Sequence, residues 1–165
     1  MFQTTFRRIF GGLALTFLGG CGGDPYDSMY TKVKPLTEDI VGLWSLDGDA
    51  SYPRRDSVTK KSSIQFLTDG SFVATDIPKA WWEDGRDAVG FESVSGSWAI
   101  DQSHGSWEVL LDFQKVNGAK SDRTSFMNFV GKAPSYQLYA RVCDPDQADV
   151  LVFQRSMAEV PKKIP

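Results

Sequence analysis

The sequence predicts an all-β domain: an antiparallel up-and-down barrel of about eight strands. Three observations lead there. Short runs rich in β-branched and aromatic residues recur at hairpin spacing, turn residues separate them, and no long stretch carries a 3.6-residue apolar period. Strands joined in order by short turns form either a barrel or a small sandwich, and closure into a barrel removes exposed edges.

The elements follow in chain order. A short helical turn is expected over Thr37–Ile40, with Thr37 as its N-cap. Val41–Leu46, holding Trp44, is the first strand. Ser63–Leu67 and Ser71–Ile77 flank Thr68-Asp69-Gly70, a tight-hairpin signal. Gly96–Ile100 and Trp107–Phe113 flank a turn at His104-Gly105. In the second of these, Trp107, Val109, Leu111 and Phe113 fall on one face, and Glu108 and Asp112 on the other. That period of two marks a half-buried antiparallel strand. Thr124–Val130 follows a loop at Asn117–Asp122, and Tyr136–Cys143 and Val150–Gln154 flank Asp144-Pro145-Asp146. Trp44, Phe66, Phe72, Trp98 and the Trp107–Phe113 face are the expected shared interior.

Ahead of the strands, Arg7 and Arg8 precede a short apolar run from Ile9 to Leu18, and small residues follow. The run is about a dozen residues, whereas a spanning helix needs about 20, so the segment reads as an export signal. Leu18-Gly19-Gly20-Cys21 resembles the Leu-small-small-Cys lipobox of bacterial lipoproteins. The resemblance implies cleavage after residue 20, acylation of Cys21 and a lipid-anchored domain on the extracytoplasmic side of the cell envelope. The Arg pair also resembles a twin-arginine signal, and general secretion is the other export route. Residues 21–36, with Gly-Gly-Asp-Pro and no apolar period, are expected to be a flexible tether. The barrel is expected over 37–155, and 156–165, with two prolines and two lysines, as a loose tail.

Removing residues 1–20 takes away Arg7 and Arg8 and no acidic residue, which moves the formal charge from −3 to −5. That acidic balance argues against nucleic acid as a partner. With 41% hydrophobic and 24% charged residues the chain is globular rather than disordered. Cys21 is assigned to lipid, so Cys143 has no partner for a disulfide and reads as a small half-buried apolar residue.

Val41-Gly42-Leu43-Trp44 is similar to the Gly-x-Trp signature of lipocalin-like domains. Phe66-Leu67-Thr68-Asp69-Gly70-Ser71-Phe72, Ile77-Pro78 with Trp81-Trp82, Gly96-Ser97-Trp98, and Asp144-Pro145-Asp146 with Phe153 extend the pattern. Over about residues 38–155 the chain resembles an uncharacterised group of bacterial lipoproteins with lipocalin-like barrels. The resemblance implies the fold and no activity. True lipocalins bind small apolar ligands, but this chain lacks their paired cysteines and C-terminal helix.

Few residues suggest catalysis. His104 is the single histidine, set in a Ser/Gly turn without a nucleophile elbow nearby. One histidine and one cysteine in the mature domain do not make a zinc site. Asp144, Asp146 and Asp149 lack the glycine and distal glutamate of a calcium loop, and Asp47 and Asp49 read likewise as turn residues. Glu83, Asp84, Asp87, Glu92 and Glu108 are the carboxylates that glycoside cleavage would draw on. No catalytic residue, metal or cofactor is assigned. Trp81 and Trp82 are the sharper feature, because adjacent rings cannot both follow in–out alternation. Either one caps the barrel end while the other packs outside, or the two form an aromatic binding rim. The leading expectation is a non-enzymatic, lipid-anchored protein acting through binding or contact with an envelope protein. A carrier of a small apolar ligand and an exported hydrolase are the alternatives.

Overall fold

The computed structural model describes residues 26–48, 62–81, 90–142 and 150–156. Cys21, Trp82, Cys143 and Asp144–Asp149 lie outside the described residues, as do the expected signal and all but Ser156 of the expected tail.

Eight antiparallel strands close into a barrel in sequence order: β1 Gly42–Leu46, β2 Ser63–Phe66, β3 Ser71–Pro78, β4 Phe91–Ser103, β5 Ser106–Val116, β6 Ala119–Val130, β7 Gln137–Arg141 and β8 Val150–Arg155. Closure runs through β1 and β8, with Trp44 opposite Arg155 and Leu46 opposite Phe153. The expected up-and-down topology is therefore the observed one.

The middle strands are longer than expected, and the reason is local. Asn117 and Gly118 alone make the β5–β6 turn, with φ of 48° and 81°, so β6 begins at Ala119 and not after Asp122. Two successive positive φ values match the right-handed twist of a hairpin, and Asn-Gly adopts them readily. His104 and Gly105, at 50° and 78°, do the same between β4 and β5. The polar residues Ser93, Ser95 and Asp101 lie within β4, on the face opposite Val94 and Ile100.

The interior is a continuous core. Trp44, Ile64, Phe66, Phe72, Leu111, Phe113, Met127, Phe129, Leu138 and Phe153 are all at most 1% exposed. Trp98 and Trp107, also expected inside, pack partly buried against this core. Helix α1, Thr37–Ile40, closes the end of the barrel that carries the β2–β3, β4–β5 and β6–β7 turns, here called the lower end, and buries Ile40 completely. Its cap differs from expectation. Leu36 precedes the helix, its N–H donates to Asp39 Oδ2 at 2.9 Å, and its carbonyl accepts from the Asp39 N–H at 3.0 Å. Arg155 pins the turn by donating from Nη2 to the Val41 carbonyl at 2.6 Å.

Part of the expected tether is built into the fold. Residues 26–36 form a strap along the barrel. Tyr30 pairs with Val130, the Thr31 N–H donates to the Phe129 carbonyl at 2.9 Å, and the Trp107 N–H donates to the Thr31 carbonyl at 3.3 Å. The last β5–β6 pair at this end is Glu108 with Asn128, so the strap occupies the split beyond it. The physical reason is apolar. Val130, Tyr139, Val150 and Val152 face outward from β6, β7 and β8, and Tyr30 buries against them with Tyr26 alongside. A second cluster of that size needs a cover, and two tyrosines supply it.

Candidate functional site

The expected aromatic rim was built on Trp81 and Trp82. Trp81 follows β3 in a single 3₁₀ turn, Lys79–Trp81, and its ring turns into the core with 6% exposure. It lies 6.0 Å from the Phe113 ring and 6.1 Å from Phe153. Trp81 therefore plugs the upper end of the barrel and is not a rim residue. The cause is packing: large rings on β5 and β8 leave a hydrophobic gap that the turn after Pro78 can reach. Trp82 lies outside the described residues.

Glu92 is also held near this end. Its carboxylate sits 3.5 Å from Lys79 Nζ and accepts from Asn117 Nδ2 at 3.3 Å. Both partners come from connections at the upper end, so the pair and the bond tie the β3–β4 and β5–β6 crossings together. Such charge-assisted contacts mark Glu92 as a structural carboxylate.

Aromatic rings run through the interior. Phe66 meets Phe72 at 6.3 Å, Phe72 meets Phe113 at 5.9 Å, and Trp98 stands edge-on to Phe66 at 5.6 Å. At the lower end Trp98 comes to the surface. Its indole N–H donates to the Leu67 carbonyl at 3.1 Å, which fixes the ring beside the β2–β3 turn. There it borders an open groove of about 570 Å³, lined by Lys34, Leu36, Thr68, Ala99 and Ile100 among others. Leu36 is 57% exposed at this groove. Lys34 reaches the other way, with Nζ 5.3 Å from the centre of the Trp107 ring. An aromatic floor with a mixed apolar and polar border can hold a flat apolar group or an apolar side chain.

Of the remaining titratable candidates, His104, Glu92 and Glu108 are described, and Glu83, Asp84 and Asp87 lie outside the described residues. His104 is exposed on its turn, with Nδ1 2.9 Å from Ser103 Oγ. Glu92 and Glu108 sit on different faces and at different ends of the barrel, so the structure does not bring these two candidate carboxylates together. Among the described residues, no three His, Cys, Asp or Glu side chains converge as metal ligands.

Glu108 is the perturbed acid. It faces outward on β5 yet is only 8% exposed, and burial pushes its carboxyl above the ordinary value of 4.5. The Asp101 carboxylate, directly opposite in the β4–β5 register, pushes the same way, and His104 partly offsets both. On its other side, Asn128 Oδ1 is buried without a hydrogen-bond partner. Glu108→Gln should therefore stabilise the domain at pH 7 by up to about 1 kcal/mol, since like charges directly opposite on a sheet cost about 0.2–1 kcal/mol. A folded pKa raised above the unfolded one gives stability that is present at low pH and lost as the carboxyl ionises. The advantage of the variant should thus vanish below about pH 4.5, where wild-type Glu108 is neutral too. Chemical denaturation of both proteins at pH 4 and pH 7 checks it, and equal midpoints at pH 7 would count against the account.

The groove and the strap were both missed in the sequence. The groove had no signal of its own, because it joins three segments distant along the chain. The strap had one: Tyr26 and Tyr30 are large aromatics in a stretch otherwise typical of a linker. Comparison with known families, with curated proteins and with solved structures finds no match to this chain.

Proposed function

We propose that this chain is a lipid-anchored, non-enzymatic protein of the bacterial cell envelope that acts by contact with another molecule. The observation that carries the reading is the order Arg7-Arg8, a short apolar run, then Leu18-Gly19-Gly20-Cys21. A stable anchor needs more than one acyl chain, because a single chain binds membranes only marginally. The residues after the cysteine suit this role, since the strap attaches the N-terminal side of the chain firmly to the barrel. In this reading the barrel is a rigid platform, and the groove beside Trp98 is its recognition surface.

The aromatic interior also bears on the carrier alternative. With Phe66, Phe72, Phe113, Phe129 and Phe153 fully enclosed and packed together, a small apolar ligand is better placed in the groove than in the barrel. Metabolic labelling with a fatty acid tests the anchor. Wild type should take up label and partition with membranes, and Cys21→Ala should do neither. Equal label in both proteins would remove the reading.

A further inference from the structure

The strap has an outer edge as well as an inner one. Its inner edge, Tyr26 and Tyr30, is docked, with the Tyr26 ring 5.6 Å from that of Tyr139 on β7. Its outer edge exposes Met29 at 46% and Val33 at 72%. Lys32 lies between them, and its ammonium is satisfied locally, donating to Ser106 Oγ at 2.9 Å and lying 3.5 Å from Asp27. The strap is thus a fixed ridge with two apolar side chains projecting from it. Cys21 stands five residues before Tyr26. Even a fully extended chain covers at most about 18 Å in five residues. A lipid on Cys21 would therefore hold the bilayer beside the strap side of the domain.

We propose that the outer edge of the strap, at Met29 and Val33, rests in the interfacial layer of the phospholipid bilayer and so fixes the orientation of the barrel on the membrane. This rests on the lipid-anchor reading above and adds to it a lipid-contact surface. Interfacial side chains enter to a depth of about 5–10 Å, which a short ridge can reach when the anchor is this close. The geometry supplies an internal contrast. In a closed ring of eight strands, β3 is four positions from β7, against which Tyr26 docks, and three from β6, with which Tyr30 pairs. Val73 on β3 is 48% exposed, about as much as Met29, yet it projects from the wall away from that docked segment. Exposure of an apolar side chain alone thus predicts equal lipid contact at all three positions, whereas orientation by the strap predicts contact at two.

The test uses the full chain, expressed so that it is processed, and reconstituted in vesicles of phosphatidylethanolamine and phosphatidylglycerol. Single probes are placed by Met29→Cys, Val33→Cys or Val73→Cys in a Cys143→Ser background and labelled with an environment-sensitive fluorophore. Mass analysis first establishes acylation of Cys21. The expected result is quenching by brominated lipid and loss of iodide access at 29 and 33, with full iodide access and no lipid quenching at 73. Acylated protein with all three probes equally open to iodide would overturn the orientation while leaving the anchor intact. Iodide protection at 29 and 33 without lipid quenching would also overturn it, pointing to a protein or a second copy as the cover. A free Cys21 thiol would remove the anchor reading and this inference with it.

Discussion

Trp44→Ala should be the most destabilising truncation in the core. Trp44 is fully enclosed, and its indole N–H donates to the Ile40 carbonyl at 2.7 Å inside the barrel. Removing a buried Trp side chain costs about 3–5 kcal/mol through lost transfer energy and the cavity left behind. The Ile40 carbonyl would also lose its partner, and an unsatisfied buried acceptor adds about 1–3 kcal/mol. Domains of this kind have only about 5–15 kcal/mol of stability in all. The melting temperature should therefore fall by more than about 10 °C. Trp44→Phe, which keeps much of the volume and loses only the donor, should lie between the two. A melt of Trp44→Ala within a few degrees of wild type would show that this ring does not hold α1 onto the barrel.

That contact also shows what could be read in advance. Trp44, Phe66 and Phe72 sit at positions where alternation along short strands puts them inside, and the structure buries all three. The turn residues were legible for the same local reason: Gly70 and His104-Gly105 supply positive-φ conformations that few other residues accept. What could not be read was anything set by distant segments meeting. Nothing in the sequence marks Trp81 for the interior, and its place there is set by the gap between Phe113 and Phe153.

The strap was readable in part, through its partners rather than itself. Val150-Leu151-Val152-Phe153 and Leu138-Tyr139-Ala140 are apolar on both faces. Strands of that kind are covered on both sides, whereas β5, with Asp112 and Gln114 on its outer face between inward apolar residues, has a face open to water. The barrel interior accounts for Leu138, Ala140, Leu151 and Phe153 only. The outward Tyr139, Val150 and Val152 required a further layer, and Tyr26 and Tyr30 provide it. A tether assigned from Gly, Asp and Pro content alone overlooks that requirement. The consequence for the proposed anchor is direct: a lipid on Cys21 would be joined to a docked strap and not to a loose leash.

Gly96→Ala should be the most damaging single-methyl change. The β4–β5 register shifts between Ser95 and Gly96, where β5 steps from Lys115 to Phe113 and leaves Gln114 as the extra residue. The bulge brings the β5 backbone over Gly96. A Cβ at position 96 would lie 1.8 Å from the Asp112 carbonyl oxygen and 3.0 Å from the Gln114 nitrogen. Those obstacles are main-chain atoms of the paired strand, so no side-chain rotation relieves them, and the two strands must move apart. The same glycine stands between Phe72 on β3 and Phe113 on β5, whose rings meet at 5.9 Å across it. Moving β5 would therefore loosen the aromatic core along with the ladder. Overpacking a well-filled site costs about 1–3 kcal/mol, and a backbone obstacle places this site at or above the upper end. Ser97→Ala, one residue along and half-exposed, is the control and should stay within about 0.5 kcal/mol of wild type. Denaturation midpoints check both variants, and hydrogen exchange across β4 and β5 should show protection lost first near the bulge in Gly96→Ala. If Gly96→Ala matches Ser97→Ala in stability, the close approach of β5 is not a constraint on the barrel.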